Sequence, residues 1–365
     1  MKVAEIIRLF DAYAPFRYQE SYDKSGLQVG DPNDTVTGAL LSLDITEAVL
    51  DEAIEKGCNL IIAHHPVIFS GIKNLTGRNY VQRVVQKAIK HDINLLAVHT
   101  NLDNMRQGVN QRIAERLGLQ DTRILAPLSG NLLKLCTYVP TAQAEHLRTA
   151  LFAAGAGHIG QYSECSFSST GSGTFRGSKD SKPFIGTAGG AQEKVQEDKI
   201  EVLVPVHLKN RVEQALVAAH PYEEVAFDWL QLQNHNPETG AGMTGSLPLP
   251  VPATEFLALL KKQMKAGMVR HTALTDKAVQ KIAVCGGSGS FLLKDAIAAG
   301  ADVFVTADFK YHQFFDAEGK ILIADIGHFE SEQFTVEIFD DILKKKNVTF
   351  AVLLSTLDTN PIKYF

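Results

Sequence analysis

The stretch Asn59-Leu60-Ile61-Ile62-Ala63-His64-His65-Pro66 sets an apolar run against two adjacent histidines and a proline. The short apolar run, bounded by turn residues, predicts a buried strand, and the histidines stand at its exit. Two other runs end in the same way. His99-x-x-x-Asp103 follows Ile93-Asn94-Leu95-Leu96-Ala97-Val98, and His328-x-x-x-Glu332 follows Ile321-Leu322-Ile323-Ala324-Asp325-Ile326. Open α/β sheets place their sites at the carboxyl ends of parallel strands. Three such exits therefore predict one convergent site.

Working outward, apolar residues at helical spacing over residues 3–13 predict an amphipathic opening helix. A strand follows at 37–43, and Asp44-Ile45-Thr46-Glu47 has capping-box spacing for a helix ending near Gly57. The strand at 60, a helix near 80–90, the strand at 95 and a helix near 109–117 continue the alternation. It resumes after residue 250, with strands at 281–285, 303–306 and 321–326 and helices between them. A helix is expected near 309–315 and another near 331–345. The pattern predicts an α/β fold, with mainly parallel sheets covered by helices and built from both outer thirds of the chain. The middle third reads as a doubled β-α-β pattern, the arithmetic of an inserted α+β ferredoxin-like domain. Its Gly-, Ser- and Thr-rich residues 160–190 read as a long hairpin or mobile loop. The expected divisions are 1–129, 130–235 and 236–365, with 231–245 as a return linker.

At 365 residues, 45% hydrophobic and 21% charged, the chain is long enough for two or three domains of ordinary globular composition. A formal net charge of −5 makes nucleic acid an unexpected partner. Lys344-Lys345-Lys346 ends an expected helix, where positive charge suits the dipole. Cys58, Cys136, Cys165 and Cys285 form no CxxC pair and read as reduced thiols. The opening Met1-Lys2-Val3-Ala4-Glu5 lacks the apolar core of a signal peptide, and no run approaches the ~18 apolar residues of a membrane span. The expected location is the cytoplasm.

His64, His65, His99 and His328 supply imidazoles, and Asp103 and Glu332 supply carboxylates. Taken singly, a His-His pair reads as structural and an HxxxD or HxxxE as an ion pair on a helix. Three coincident strand exits favour metal instead. Six groups fill two coordination spheres only by sharing, so the set predicts two divalent ions bridged by carboxylate, with water completing each sphere. Zinc is the first expectation, and iron and manganese suit the same ligands. His99 is the candidate for orienting a ligand or transferring a proton. Cys285-Gly286-Gly287-Ser288-Gly289-Ser290 reads equally as a phosphate cradle or a tight strand-to-helix turn. Asp308 and His312 are expected to line the cleft. Asp44 reads as a helix cap, and His220-Pro221-Tyr222-Glu223-Glu224 as a turn.

Ala63-His64-His65-Pro66, His99-Thr100-Asn101-Leu102-Asp103, Val303-Phe304-Val305-Thr306-Ala307-Asp308 and Gly327-His328-Phe329-Glu330-Ser331-Glu332 together resemble the GTP cyclohydrolase I type 2 family, also called the Nif-three-like proteins. Ser42-Leu43-Asp44 and Ser25-Gly26-Leu27-Gln28-Val29-Gly30 extend the likeness over both outer thirds. The middle third, with Gly157-His158-Ile159-Gly160-Gln161-Tyr162, resembles the extra domain of the family's longer members, which is similar to nitrogen-signalling and cation-tolerance proteins. The resemblance implies that His64, His65, Asp103, His328 and Glu332 are metal ligands and that His99 lies beside the metals. It further implies a ring-shaped homohexamer and a hydrolase acting on an anionic nucleotide, with metal-activated water attacking C8 of the purine and formate released. Two rival expectations use the same residues: a two-metal phosphoesterase, and a metal-binding regulatory assembly with the middle third as sensor or partner surface.

Overall fold

The computed structural model describes residues 1–274 and 276–365. The described residues form a mixed α/β structure with three sheets and eleven α-helices. They divide into two compact units, residues 1–127 with 238–365, and residues 128–237.

The first unit contains two sheets. One runs in the order Gly26–Val29, Asn94–Ala97, Leu60–Ala63, Gly38–Ser42, Ala351–Leu354. Its last four strands are mutually parallel, and Gly26–Val29 closes the edge antiparallel. The strands Gly38–Ser42, Leu60–Ala63 and Asn94–Ala97 are buried at every position, which is why they read as unbroken apolar runs rather than alternating ones. The second sheet runs Arg270–His271, Leu322–Asp325, Val303–Ala307, Val279–Ser288, His235–Val251, Gln120–Ser129. Its three middle strands, Val279–Ser288, Val303–Ala307 and Leu322–Asp325, pair parallel, and His235–Val251 pairs antiparallel to Val279–Ser288. Residues expected as a return linker up to 245 are thus mostly strand. Their Gly and Thr content hides a run whose Met243, Thr244 and Leu247 are buried.

The opening helix Val3–Tyr13 buries Val3, Ile6 and Phe10. Phe10 meets Phe339 of the helix Thr335–Lys345 edge-on, with centroids 5.6 Å apart. Full burial of such a ring contributes about 1.5–3 kcal/mol. The helix Glu47–Glu55 is capped by Thr46, whose side chain accepts from the Val49 N–H, so Asp44 is not its cap. The helix expected at 331–345 is two: His328–Glu332 and Thr335–Lys345. That expected at 309–315 is a 3-10 helix at Tyr311–Ala317.

In the second unit the strands Leu132–Pro140, Ser166–Phe175, Glu193–Pro205 and Phe227–Gln231 alternate with the helices Ala144–Ala153 and Lys209–Ala219. The strands form one antiparallel sheet in the order Ser166–Phe175, Glu193–Pro205, Leu132–Pro140, Phe227–Gln231. Ten residues of the Gly/Ser-rich segment form one arm of a long hairpin, Ser166–Phe175 pairing residue for residue with Glu193–Val202, and residues 176–190 lie in its connecting loop. No helix among the described residues is long and apolar enough to cross a membrane.

Candidate metal centre

The strand Leu60–Ala63 ends at His64 and His65, and the chain turns there instead of continuing the pleat. In a strand, successive side chains point to opposite faces. Here the turn brings the two rings to 5.0 Å between centroids. The neighbouring strand exit supplies His99, as the residue preceding the one-turn helix Thr100–Asp103. The third exit supplies His328 and Glu332 from the short helix His328–Glu332. In the last two cases a helical turn sets the carboxylate above its histidine, which is the physical meaning of the four-residue spacing. Gly327 opens the His328 helix at φ +93°, and a Cβ there would lie 2.3 Å from the Glu330 carboxylate, so only glycine fits.

All six candidates meet in one place. Ligand atoms of three overlapping groups lie within 4.8 Å of one another: His64, His65 and His99; His65, His328 and Glu332; His64, Asp103 and Glu332. Each group could hold a metal ion. His65 Nε2 lies 2.9 Å from Glu332 Oε2 and 3.3 Å from His328 Nε2. His64 Nε2 lies 3.6 Å from Asp103 Oδ1 and 3.7 Å from Glu332 Oε1, beyond hydrogen bonding. His64 is fully buried, and its Nε2 and Asp103 Oδ1 have no hydrogen-bond partner. A buried lone pair without a partner costs about 1–3 kcal/mol. Two such acceptors aimed at a common space fit a cation, and this imidazole–carboxylate set fits a divalent one.

The four imidazoles share a second feature. Each Nδ1 is engaged on the outer side: His64 with the Val98 carbonyl at 2.9 Å, His65 with Asp44 at 2.7 Å, His99 with Asp23 at 2.8 Å, and His328 with Asp308 at 2.6 Å. With Nδ1–H donating outward, each neutral ring presents its Nε2 lone pair to the centre. Asp23 is buried and also accepts from the Ser25 and Thr100 hydroxyls and from the Thr100 and Lys24 N–H groups. Asp44 therefore buttresses a histidine and takes the Thr359 hydroxyl. Asp308 stands behind His328 and is not among the residues lining the cavity at the centre. His312 instead stacks on Phe315 and meets Tyr311 edge-on.

Charge is unevenly settled in this cluster. Burial opposes a positive His65, yet hydrogen bonds to Asp44 and Glu332 outweigh it and push the imidazole up to about 9. Burial likewise opposes charge on His328, but Glu332 and Asp308 raise it to about 11. Burial and the nearby Glu332 charge push Asp103 up to about 8. Against its own burial, Glu332 is held well below the ordinary range, chiefly by His328 and His64. Opposite shifts thus fall on neighbouring imidazoles and carboxylates of one buried cluster, each set by its neighbours' charge and by burial.

The run Cys285–Ser290 resolves in favour of close packing. The strand continues to Ser288. The Gly286 N–H donates to Asn110 and the Gly287 N–H to Ser331. A Cβ on Gly287 would lie 2.3 Å from Glu332 Oε1, so this glycine lets the backbone pass against the carboxylate. A cavity of about 440 Å³ opens onto the centre, with Tyr22, Phe69 and Phe291 among its walls. Sequence reading missed Asp23, since Ser21-Tyr22-Asp23-Lys24 carries no periodic or motif signal.

A family model described as Duf34/NIF3 (NGG1p interacting factor 3) matches residues 1–361. A Halalkalibacterium halodurans relative is 39% identical over 100% of both chains, and a Bacillus subtilis relative is 39% identical over 99% of this chain and 98% of its own. Both are named GTP cyclohydrolase 1 type 2 homolog. A Bacillus cereus crystal structure described as related to NIF3 matches with a TM-score of 0.88 at 39% identity, covering 100% of this chain and 99% of that one. A Staphylococcus aureus structure matches with a TM-score of 0.79 at 33% identity, covering 100% and 99%. By sequence and by fold, this chain belongs to the Duf34/NIF3 family.

Proposed function

We propose that the chain is a dinuclear metal-dependent hydrolase acting on a nucleotide, in the manner of a GTP cyclohydrolase. The observation that carries the reading is the overlap of three donor groups around the unpartnered His64 Nε2 and Asp103 Oδ1. The name shared by the relatives supports the nucleotide.

His64, His65, Asp103, His328 and Glu332 would hold the ions, with zinc the first choice and iron and manganese compatible. Once bound, two divalent ions would supply Lewis acidity and an activated water for opening the purine ring at C8. Asp44, Asp308 and the Val98 carbonyl fix the ring orientation of His65, His328 and His64. His99 lines the cavity, and Asp23 holds its Nδ1–H, so its Nε2 is the atom that takes a proton from the attacking water and returns it to the opening ring. Tyr22, Phe69 and Phe291 give the cavity flat apolar walls suited to a purine.

Formate release from GTP by metal-loaded protein tests the reading, with His328→Ala as the blank. Release by the wild type alone supports it. No release above the blank, with two ions per chain confirmed by elemental analysis, removes GTP as substrate.

A further inference from the structure

The unit of residues 128–237 has its own cavity, of about 780 Å³. Strand register accounts for it. Ile200, Val202 and Val204 alternate onto the sheet face that packs against Leu147, Leu151, Val212 and Leu216 of the two helices. Lys199 and Glu197 therefore point to the other face, together with their partners Tyr138, Ser169 and Gly171. The helices leave that face open. Residues of the loop at 176–184 and of the turn at 222–226 cover it only in part, and the space between is the cavity. Gly171 lies on its floor. A Cβ built there meets nothing within 4 Å.

The walls combine rings and carboxylates. Tyr222 stands between Phe175 and Phe184, with centroids at 5.8 and 6.3 Å. His220 fixes it: His220 Nδ1 accepts from the Tyr222 N–H at 3.1 Å, and Nε2 donates to the Tyr138 carbonyl at 2.9 Å. The Tyr222 hydroxyl donates to Glu197 Oε1 at 2.8 Å. Glu223 and Glu224 also line the space. Of the two basic residues there, Lys199 is already held by Glu201 at 2.6 Å, and Arg176 is exposed. Aromatic faces and carboxylates both attract a cation, and neither welcomes an anion. The volume is within the range that encloses a molecule of drug size.

We infer that this cavity is a second small-molecule site, and that its ligand is an organic cation: an amine or quaternary ammonium carrying an apolar body, seated among Phe175, Phe184 and Tyr222 with its charge toward Glu197. The site is built from residues between Tyr138 and Ala226 and shares none with the metal centre, so the inference does not rest on the activity proposed there.

Titration calorimetry of the full chain with benzyltrimethylammonium tests the inference, with benzyl alcohol and phenylacetate as neutral and anionic counterparts. The ammonium is expected to bind saturably, at least tenfold tighter than either counterpart. Glu197→Gln is expected to weaken it about tenfold or more, because a charge-assisted contact is lost. Gly171→Leu is expected to abolish binding by filling the floor, and Glu332→Gln in the metal centre to leave it unchanged. Circular dichroism matching the wild type confirms that each variant is folded. No saturable binding of the ammonium, tighter binding of phenylacetate, or binding indifferent to both Glu197→Gln and Gly171→Leu would overturn the inference.

Discussion

In the unit of residues 1–127 and 238–365, every imidazole of the metal-type cluster is held from behind by a named acceptor, His64 and Glu332 are buried, and the other donors are partly so. In the unit of residues 128–237, the chemistry lies on an open sheet face, where Glu197 has one hydroxyl partner and the rings stay partly exposed. The first arrangement fixes atoms for a ligand with demanding geometry. The second offers walls and charge to a ligand whose shape is less constrained. Rigidity at the first site comes from burial and redundant hydrogen bonding, so it should break at single atoms. The second should degrade gradually.

The largest effect should come from Glu332, which reaches His64, His65 and His328 at once. Glu332→Gln is expected to lower bound metal from two ions per chain to one or none, and turnover by more than about 100-fold. Elemental analysis after dialysis measures the first. Retention of two ions would show that the carboxylate is not shared and would break the account of the cluster. Asp23 tests the buttressing itself. Asp23→Asn puts an amide NH₂ among the donors that crowd this side chain, and should cost about 10–100-fold in metal affinity or turnover, with His99 still present. A loss below threefold would mean that holding Nδ1 from behind is not what organises the centre.

A pair of carboxylates away from both sites sharpens the contrast. Glu52, in the first unit, is buried and accepts from Lys56, from the Ser355 hydroxyl and from the N–H and hydroxyl of Thr356. Burial alone would raise its carboxyl, but these partners outweigh it and hold it at about 2, against an ordinary 4.5. Its folded value is depressed, so its contribution is complete above pH 4.5 and disappears as pH falls toward 2. Glu52→Gln should therefore cost about 1–3 kcal/mol in urea denaturation at pH 7, and the deficit should shrink steadily below pH 4.5. Glu201, in the second unit, pairs with Lys199 and Lys134 on the open face, and Glu201→Gln should cost less than about 1 kcal/mol. Equal costs at the two positions would erase the distinction between the units.

The same contrast explains what was legible in the sequence. The convergence of His64, His65, His99, His328, Asp103 and Glu332 could be read because imidazoles and carboxylates recur there in one pattern, and because buried parallel strands announce their exits. The buttresses were harder to read. Asp44 resembled a cap until Thr46 took that role, and Asp23 precedes the short edge strand Gly26–Val29, which has no clear pattern. The strand His235–Val251 was hidden by glycine and proline, residues that usually mark turns, while Ser166–Phe175 lies in the stretch read as a long hairpin or mobile loop and is one arm of a hairpin. Both are held by register with a neighbour, which is tertiary information. The cavity above Gly171 is of that kind too: it depends on which side chains share a face once Ser166–Phe175 has paired, and no local signal encodes that.

The smallest effect is predicted for the largest change. The strands Gln120–Ser129 and His235–Val251 are neighbours in one sheet, and a Cβ on Gly240 would lie 2.3 Å from the Ala126 carbonyl and 2.7 Å from Pro127 Cα. The chain therefore leaves and re-enters the first unit at almost the same point, and Leu125, Ala126 and Ala241 pack on one core cluster there. A linker of a few residues can join Pro127 to Glu238 as a hairpin loop, and closing so short a loop costs little entropy. With residues 128–237 replaced in this way, the protein is expected to keep two ions per chain and to turn over substrate within about threefold of the full chain, since the metal-type donors and their buttresses all lie outside the removed segment. It should lose benzyltrimethylammonium binding altogether. If metal occupancy falls with the deletion, the centre depends on the segment in some way beyond supplying residues. The two units would then have to be treated as one cooperative structure rather than as a fixed site and an open one.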